Sequence, residues 1–209
     1  MSVAKNCVWN GSGWADAIPH VWNGSAWVKT HTNVWNGSGW VQIPNWESNG
    51  PYPGVPMTSN TAPSPFTVQR SSIYSSGYEG YKAFNQDYSD AVGWAATGTD
   101  TSPWIRCCFA TSLRSIRIRL CNRTRSSLVN GVIDAVISGS NDGTNWTQIG
   151  SIAGRDGGTS AYASDHYCWN SEDTYSWVQL SPTNWVNKTA SGDKYVAIGE
   201  IYIYGLKAT

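Results

Sequence analysis

A chain of 209 residues with 14 basic and 14 acidic side chains has no net charge, and only 13% of its residues are charged. That balance gives no bulk electrostatic handle on nucleic acid or on an anionic membrane, and no run approaches the roughly 20 apolar residues of a membrane-spanning helix. Low charge with 13 tryptophans and 11 tyrosines argues for sheet and against disorder.

Three near-copies of one 13-residue unit lead the chain: VWNGSGWADAIPH from Val8, VWNGSAWVKTHTN from Val21 and VWNGSGWVQIPNW from Val34. A fixed short period means one small unit is repeated in a stack. Each copy reads as a β-hairpin: Val-Trp leads in, Asn-Gly-Ser-Gly (or Ala) supplies the positive φ of a tight turn, and Trp leads out. This places Trp9 opposite Trp14, Trp22 opposite Trp27 and Trp35 opposite Trp40, pairs worth about 0.2–1 kcal/mol each. A single hairpin is marginal in water, and the seven tryptophans of the first 46 residues cannot all be buried by so short a segment. The indoles are expected to pack along the stack, to pack against copies in other subunits, or to bind ligand. A homotrimer is the natural closed form for such arms. Over Val8 to Trp46 the units resemble the WNGS-type repeats of bacteriophage tail and fibre proteins, which implies attachment or oligomerisation.

From Glu47 to Pro65 five prolines and two glycines in 19 residues interrupt regular structure, and this stretch reads as an extended spacer. The expected organisation is therefore repeats over 1–46, a linker over 47–65 and a domain over 66–209. Within that domain short alternating runs recur between turn signals: Trp104–Ala110, Ser115–Leu120, Val132–Ser140, Thr147–Ala153 and Lys194–Gly205. In Ser115–Leu120 alternation puts Ile116, Ile118 and Leu120 on one face, and Arg117 and Arg119 on a solvated one. Many short strands with turn residues between them predict an all-β sandwich or barrel.

The segments YKAFNQD (Tyr81–Asp87), the lone Trp94, WIRCCF (Trp104–Phe109), SIRIRL followed by Asn122-Arg123, ISGSNDGTNWTQI (Ile137–Ile149) and AIGEIYIYG (Ala197–Gly205) fall in order. Together they resemble the discoidin, or coagulation factor 5/8 type C, domain, whose bacterial members include family-32 carbohydrate-binding modules. The resemblance implies an eight-stranded jelly roll of the galactose-binding type, here preceded by the stack of three hairpin repeats, with ligands held by loops at one end. It also implies a core role for Trp94, Trp104 and Trp146. Arg123 and Asn130 match positions from which such modules contact sugar, and Arg125 lies two residues beyond Arg123. Sugar sites need an aromatic face and rigid polar groups. Tyr74, Tyr78 and Tyr88 in one loop, and His166, Tyr167, Trp169 and Asn170 in a long loop read from Gly154 to Trp177, are candidate contacts. Family members frequently hold a structural calcium near the YKAF-like loop. Asn85, Asp87, Asp90 and Glu200 are the matching or neighbouring oxygen donors for Ca²⁺, although the family has Asp-Gly where this chain has Asn85-Gln86.

The five cysteines form neither a disulfide framework nor a zinc-ligand spacing and are expected to be reduced and mostly buried. The three histidines are scattered, and no GxSxG, HExxH, Walker or GxGxxG motif is present, so no enzyme is expected. The opening residues lack an apolar signal core, which points to synthesis in a cytoplasm. The expectation is a bacteriophage receptor-binding or fibre protein of the virion. Its jelly roll would grip a cell-surface glycan, and its repeats would trimerise or join other virion proteins. The alternatives are a virion decoration or assembly protein that binds another protein, and a bacterial carbohydrate-binding module associated with a glycosidase.

Overall fold

The computed structural model describes residues 7–9, 14–16, 20–29, 32–35, 40–43, 52–87, 93–125, 128–155, 157, 164–168, 173–188 and 194–207. The chain divides into two compact units, Met1–Asn49 and Gly50–Thr209. The first holds three two-stranded hairpins: β1 (Cys7–Trp9) with β2 (Trp14–Asp16), β3 (His20–Trp22) with β4 (Trp27–Lys29), and β5 (Thr32–Trp35) with β6 (Trp40–Ile43). Their registers set Trp9 opposite Trp14, Trp22 opposite Trp27 and Trp35 opposite Trp40.

The middle turn shows why Asn-Gly-Ser is repeated. The Asn23 side-chain oxygen accepts the Ser25 N–H at 3.0 Å, the Ser25 hydroxyl at 3.0 Å and the Ala26 N–H at 2.9 Å. Gly24 adopts φ +100°, a conformation that L side chains rarely adopt. The indoles on either side of the turn meet edge to face, with centroids 5.8 Å apart, yet Trp22 is 51% and Trp27 69% exposed.

The second unit is a rolled antiparallel sheet. Its strands are β7 (Thr67–Arg70), β9 (Ile105–Cys121), β12 (Val132–Ser140), β13 (Thr147–Ile152), β14 (Ser164–Cys168), β15 (Tyr175–Trp185) and β17 (Glu200–Lys207). Short strands β8 (Trp94–Ala95) and β16 (Ala197–Ile198) pair with each other, as do β10 (Thr124–Arg125) and β11 (Leu128–Val129). The 17-residue β9 organises the whole. Its first part, Ile105–Cys108, lies between β7 and β15; its second, from Leu113 to Cys121, pairs with β17 and β14. Because one strand serves both halves, a five-stranded and a three-stranded layer close over one core, which is the jelly roll that the sequence predicts. Within the second part, Ser115 at φ +49° sits at a bulge between the Arg114–Leu206 and Arg117–Tyr204 pairs.

Alternation along β9 fills that core. Ile105, Cys107, Ile116, Ile118 and Leu120 are at most 2% exposed and meet Trp94, Ile137, Leu180, Trp185, Ile201 and Ile203. Burying each such aliphatic side chain contributes about 1.5–3 kcal/mol. Burial also pushes the thiols of Cys107, Cys108 and Cys121 up, which keeps them unreactive.

Four sequence expectations differ from the structure. Residues 52–65, expected to be spacer, are built into the second unit: Met57 is 1% exposed in the core, the Tyr52 N–H donates to Ile203 O at 2.7 Å, and the Tyr52 ring meets Phe109. The expected long loop from Gly154 contains strand β14, which pairs along β9. Trp104 and Trp146 are half-buried outside the core. Trp104 shares strand parity with Arg106 rather than with Ile105, and with Trp146 and Trp177 it rings the Arg106 guanidinium at 4.4, 5.0 and 5.7 Å. Arg117 and Arg119 are not simply solvated either; they lie over the rings of Tyr204 and Tyr202 at 4.1 and 5.5 Å.

Candidate carbohydrate-binding site

At one end of the roll the loop after β7 and the segment before β16 bring three tyrosines together. Ser71 and Ser72 hydroxyls both donate to Asp100 at 2.6 Å, Trp94 Nε1 donates to Ser72 O at 2.9 Å, and the Tyr74 N–H donates to Ala95 O at 2.8 Å. This anchored backbone presents Tyr74, which is 54% exposed. Its ring meets Tyr78 edge-on at 5.8 Å and Tyr195 at 4.6 Å.

Tyr78 is held from its C-terminal side. The next residue, Glu79, pairs with Arg70 at 2.6 Å and accepts the Asn60 amide at 3.0 Å, while Asn60 accepts the Tyr81 N–H at 2.9 Å. Partial desolvation pushes the Glu79 carboxyl up, but the Asn60 bond and the Arg70 charge outweigh it and hold the group below its usual range.

The polar wall comes from the β10–β11 hairpin. Thr124 pairs with Val129, so Arg123 and Asn130 flank the base of that hairpin. Both are buried, at 6% and 5% exposure, and the Asn130 carbonyl accepts the Ala197 N–H at 3.0 Å. The Arg123 guanidinium lies 4.6 Å from the Tyr78 ring centroid and donates through Nη2 to the Tyr78 hydroxyl at 3.2 Å. An exposed aromatic face beside a forked donor is the combination that engages sugar C–H patches and hydroxyls.

Of the sequence-predicted contacts, the structure brings Tyr78, Arg123 and Asn130 to this end, and Arg125 to strand β10. His166 and Tyr167 lie in β14, opposite Arg119 and Ile118. Tyr88, Trp169 and Asn170 fall outside the described residues. Sequence reasoning missed Tyr195 as a site residue, because it sits within a run that reads as one closing strand, whereas the chain breaks before β16.

The expected calcium donors present a mixed picture. Glu200 is 1% exposed; its Oε1 accepts the Asp87 N–H at 3.1 Å, and the Gln86 and Asn85 N–H groups also point to the carboxyl. Gln86 takes φ +58°, the left-handed turn that gathers these donors and that the glycine of the family motif adopts without strain. The other oxygen, Oε2, is buried without a partner. Burial first, and the Asp87 charge against the three N–H bonds, push the Glu200 carboxyl up to about 8. The Asn85 side-chain oxygen is engaged by the Asp87 N–H at 3.0 Å, and Asp90 lies outside the described residues. A partnerless buried carboxyl oxygen suits a hard cation, which takes roughly six to eight oxygens. Among the described residues no group of three or more His, Cys, Asp or Glu side chains gathers to complete such a set.

The most family-like segment turns out to be a turn device. Asp142 accepts the N–H groups of Thr144 and Asn145 at 2.8 and 2.7 Å and the Asn145 amide at 2.7 Å, bonds that hold its carboxyl well below the usual range. Asn141 clips the turn to β15 through Thr174 O and Ser176 N.

No protein-family model and no curated protein matches the chain. Solved structures do. A chitosan-binding module from a chitosanase/glucanase of Paenibacillus sp. IK-5 is 25% identical, with a TM-score of 0.53 over 66% of this chain and 94% of that one. A family-32 carbohydrate-binding module of Clostridium perfringens, in complex with GalNAc-β-1,3-galactose, is 16% identical with a TM-score of 0.55 over 67% and 95%. An F5/8 type C domain of Bacteroides fragilis is 14% identical with a TM-score of 0.54 over 72% and 97%. The second unit therefore has the galactose-binding-like jelly-roll fold of discoidin-type domains and carbohydrate-binding modules.

Proposed function

We propose that this protein binds carbohydrate without catalysis, through the loop end that carries Tyr74, Tyr78, Tyr195, Arg123 and Asn130, and that its tryptophan hairpins bring several copies together. The observation that carries the first part is the exposed Tyr74 ring against Tyr78, whose own ring and hydroxyl meet the buried Arg123 fork, on a fold whose relatives include modules that hold GalNAc-β-1,3-galactose and chitosan. The second part rests on Trp22 and Trp27, large apolar rings more than half exposed and repeated in sequence twice more. Weak single sites gain avidity when linked, up to about 10²–10⁴-fold. The setting that uses both parts is a virion fibre, trimeric and seated on other virion proteins, that grips a cell-surface glycan. Calcium belongs to the same proposal as a structural ion at Glu200 and Asp87, competing with the proton there.

The full chain on a glycan array tests the reading: binding that Tyr74→Ala abolishes supports it, and silence at high multivalency refutes it. Calcium is tested by melting at pH 8, where a calcium-induced rise should vanish in Glu200→Gln. A second reading, an accessory module of a polysaccharide-degrading enzyme, is favoured by the origin of the Paenibacillus neighbour in a chitosanase/glucanase. A full chain that is monomeric in solution would favour it over the fibre.

A further inference from the structure

From the surroundings of Arg123 we infer that the loop-end site selects an acidic sugar, one whose carboxylate pairs with that guanidinium; the inference rests on the carbohydrate-binding reading above. Three other arginines of the domain have a charged partner or at least two acceptors. Arg70 faces the Glu79 carboxylate at 2.6 Å. Arg155, 5% exposed, donates to Leu120 O at 2.9 Å, to Val132 O at 3.2 Å and to the Asn122 amide oxygen. Arg106 donates to Gln69 at 2.9 Å and to Gly143 O at 3.2 Å inside its tryptophan ring.

Arg123 differs. It is 6% exposed, and its single hydrogen bond among the described residues goes to the Tyr78 hydroxyl; a buried Nε with no hydrogen-bond partner it shares with Arg70 and Arg119. No carboxylate of the described residues pairs with it. A guanidinium this far from water is costly unless a counter-charge meets it. The Tyr78 ring 4.6 Å away supplies only the weak negative face of a π-system. The partner that best completes the site is an anion, and the adjoining Tyr74 and Tyr195 rings suggest what carries it: a patch of C–H groups such as a pyranose ring offers. A carboxylate fits the planar fork through two parallel N–H bonds, which a ring hydroxyl cannot do. A uronic acid or another carboxylate-bearing sugar joins the two features in one ligand.

The test titrates the full chain with galacturonic acid, its methyl ester and galactose, and with the matching glucose series. The expected result is an acid bound tighter than its ester by on the order of tenfold to a hundredfold, the worth of a charge-assisted bond. In Arg123→Gln the ratio of acid to ester affinity should fall to about one. Tyr78→Phe removes the competing hydroxyl and leaves the ring, so it should keep or widen the ratio. That second variant also reads the idea if Arg123→Gln fails to fold. Acid and ester bound alike, or a preference that Tyr78→Phe abolishes, overturns the inference. Should the glycan array show neutral sugars only, the acidic preference falls while carbohydrate binding stands; a silent array removes both.

Discussion

Replacing Glu200 by Gln tests the electrostatics of the roll most sharply. The carboxyl is 1% exposed, with one oxygen on backbone N–H groups and the other without a partner, and its pKa lies near 8 against an ordinary 4.5. A group whose folded pKa is raised binds its proton more tightly in the folded state. Its contribution is therefore complete below about pH 4.5 and is lost as pH rises toward 8. Within that window the loss reaches at most about 1.4 kcal/mol per pH unit. For a domain of this size that corresponds to a fall in Tm of roughly 3–6 °C per unit. Glutamine keeps an acceptor for the loop N–H groups and cannot ionise. Melting curves of both proteins in EDTA, from pH 5 to pH 9, should then diverge steadily, with the variant the more stable by a few kcal/mol at the alkaline end. Parallel curves would show that the carboxyl ionises freely in the fold, and the buried, partnerless oxygen would have no energetic meaning.

Three further outcomes follow from the same geometry. Tyr74→Ala should weaken sugar binding at least tenfold while costing about 1–2 kcal/mol of stability, because the half-exposed ring gives up its contacts with Tyr78 and Tyr195 but its loop stays anchored through backbone; isothermal titration beside a thermal melt reads both. Arg106→Leu should cost about 1–2 kcal/mol in a urea melt and alter tryptophan fluorescence, since it removes the cation that Trp104, Trp146 and Trp177 surround together with its bonds to Gln69 and Gly143. Removing residues 1–49 should reduce the molar mass in solution to that of a monomer, as read by light scattering; an unchanged oligomer would place assembly in the sandwich instead.

Local patterns were the legible part of this chain. The alternation of SIRIRL assigns Ile116, Ile118 and Leu120 to the core because strand geometry permits nothing else, and the Asn23-Gly24-Ser25 turn sets the tryptophan register of the middle hairpin. Continuity was not legible. WIRCCFA and SIRIRL read as separate strands, yet both belong to β9, because a period of two says where side chains face and not where a strand ends. Proline and glycine over 47–65 mask a segment whose Met57 and Tyr52 are tertiary anchors, a property that no local signal carries. At the site, Arg123 and Asn130 could be named from resemblance, whereas the meeting of Tyr74 with Tyr195 depends on how two segments more than a hundred residues apart pair through β8 and β16.

Ring-proton shifts during a titration of the full chain with a sugar identified on the array locate the binding face directly. The account predicts that Tyr74, Tyr78 and Tyr195 move together and that the rings around Arg106 stay still. Shifts confined to the hairpin tryptophans or to the Arg106 cluster, with the three tyrosines unmoved, would contradict it.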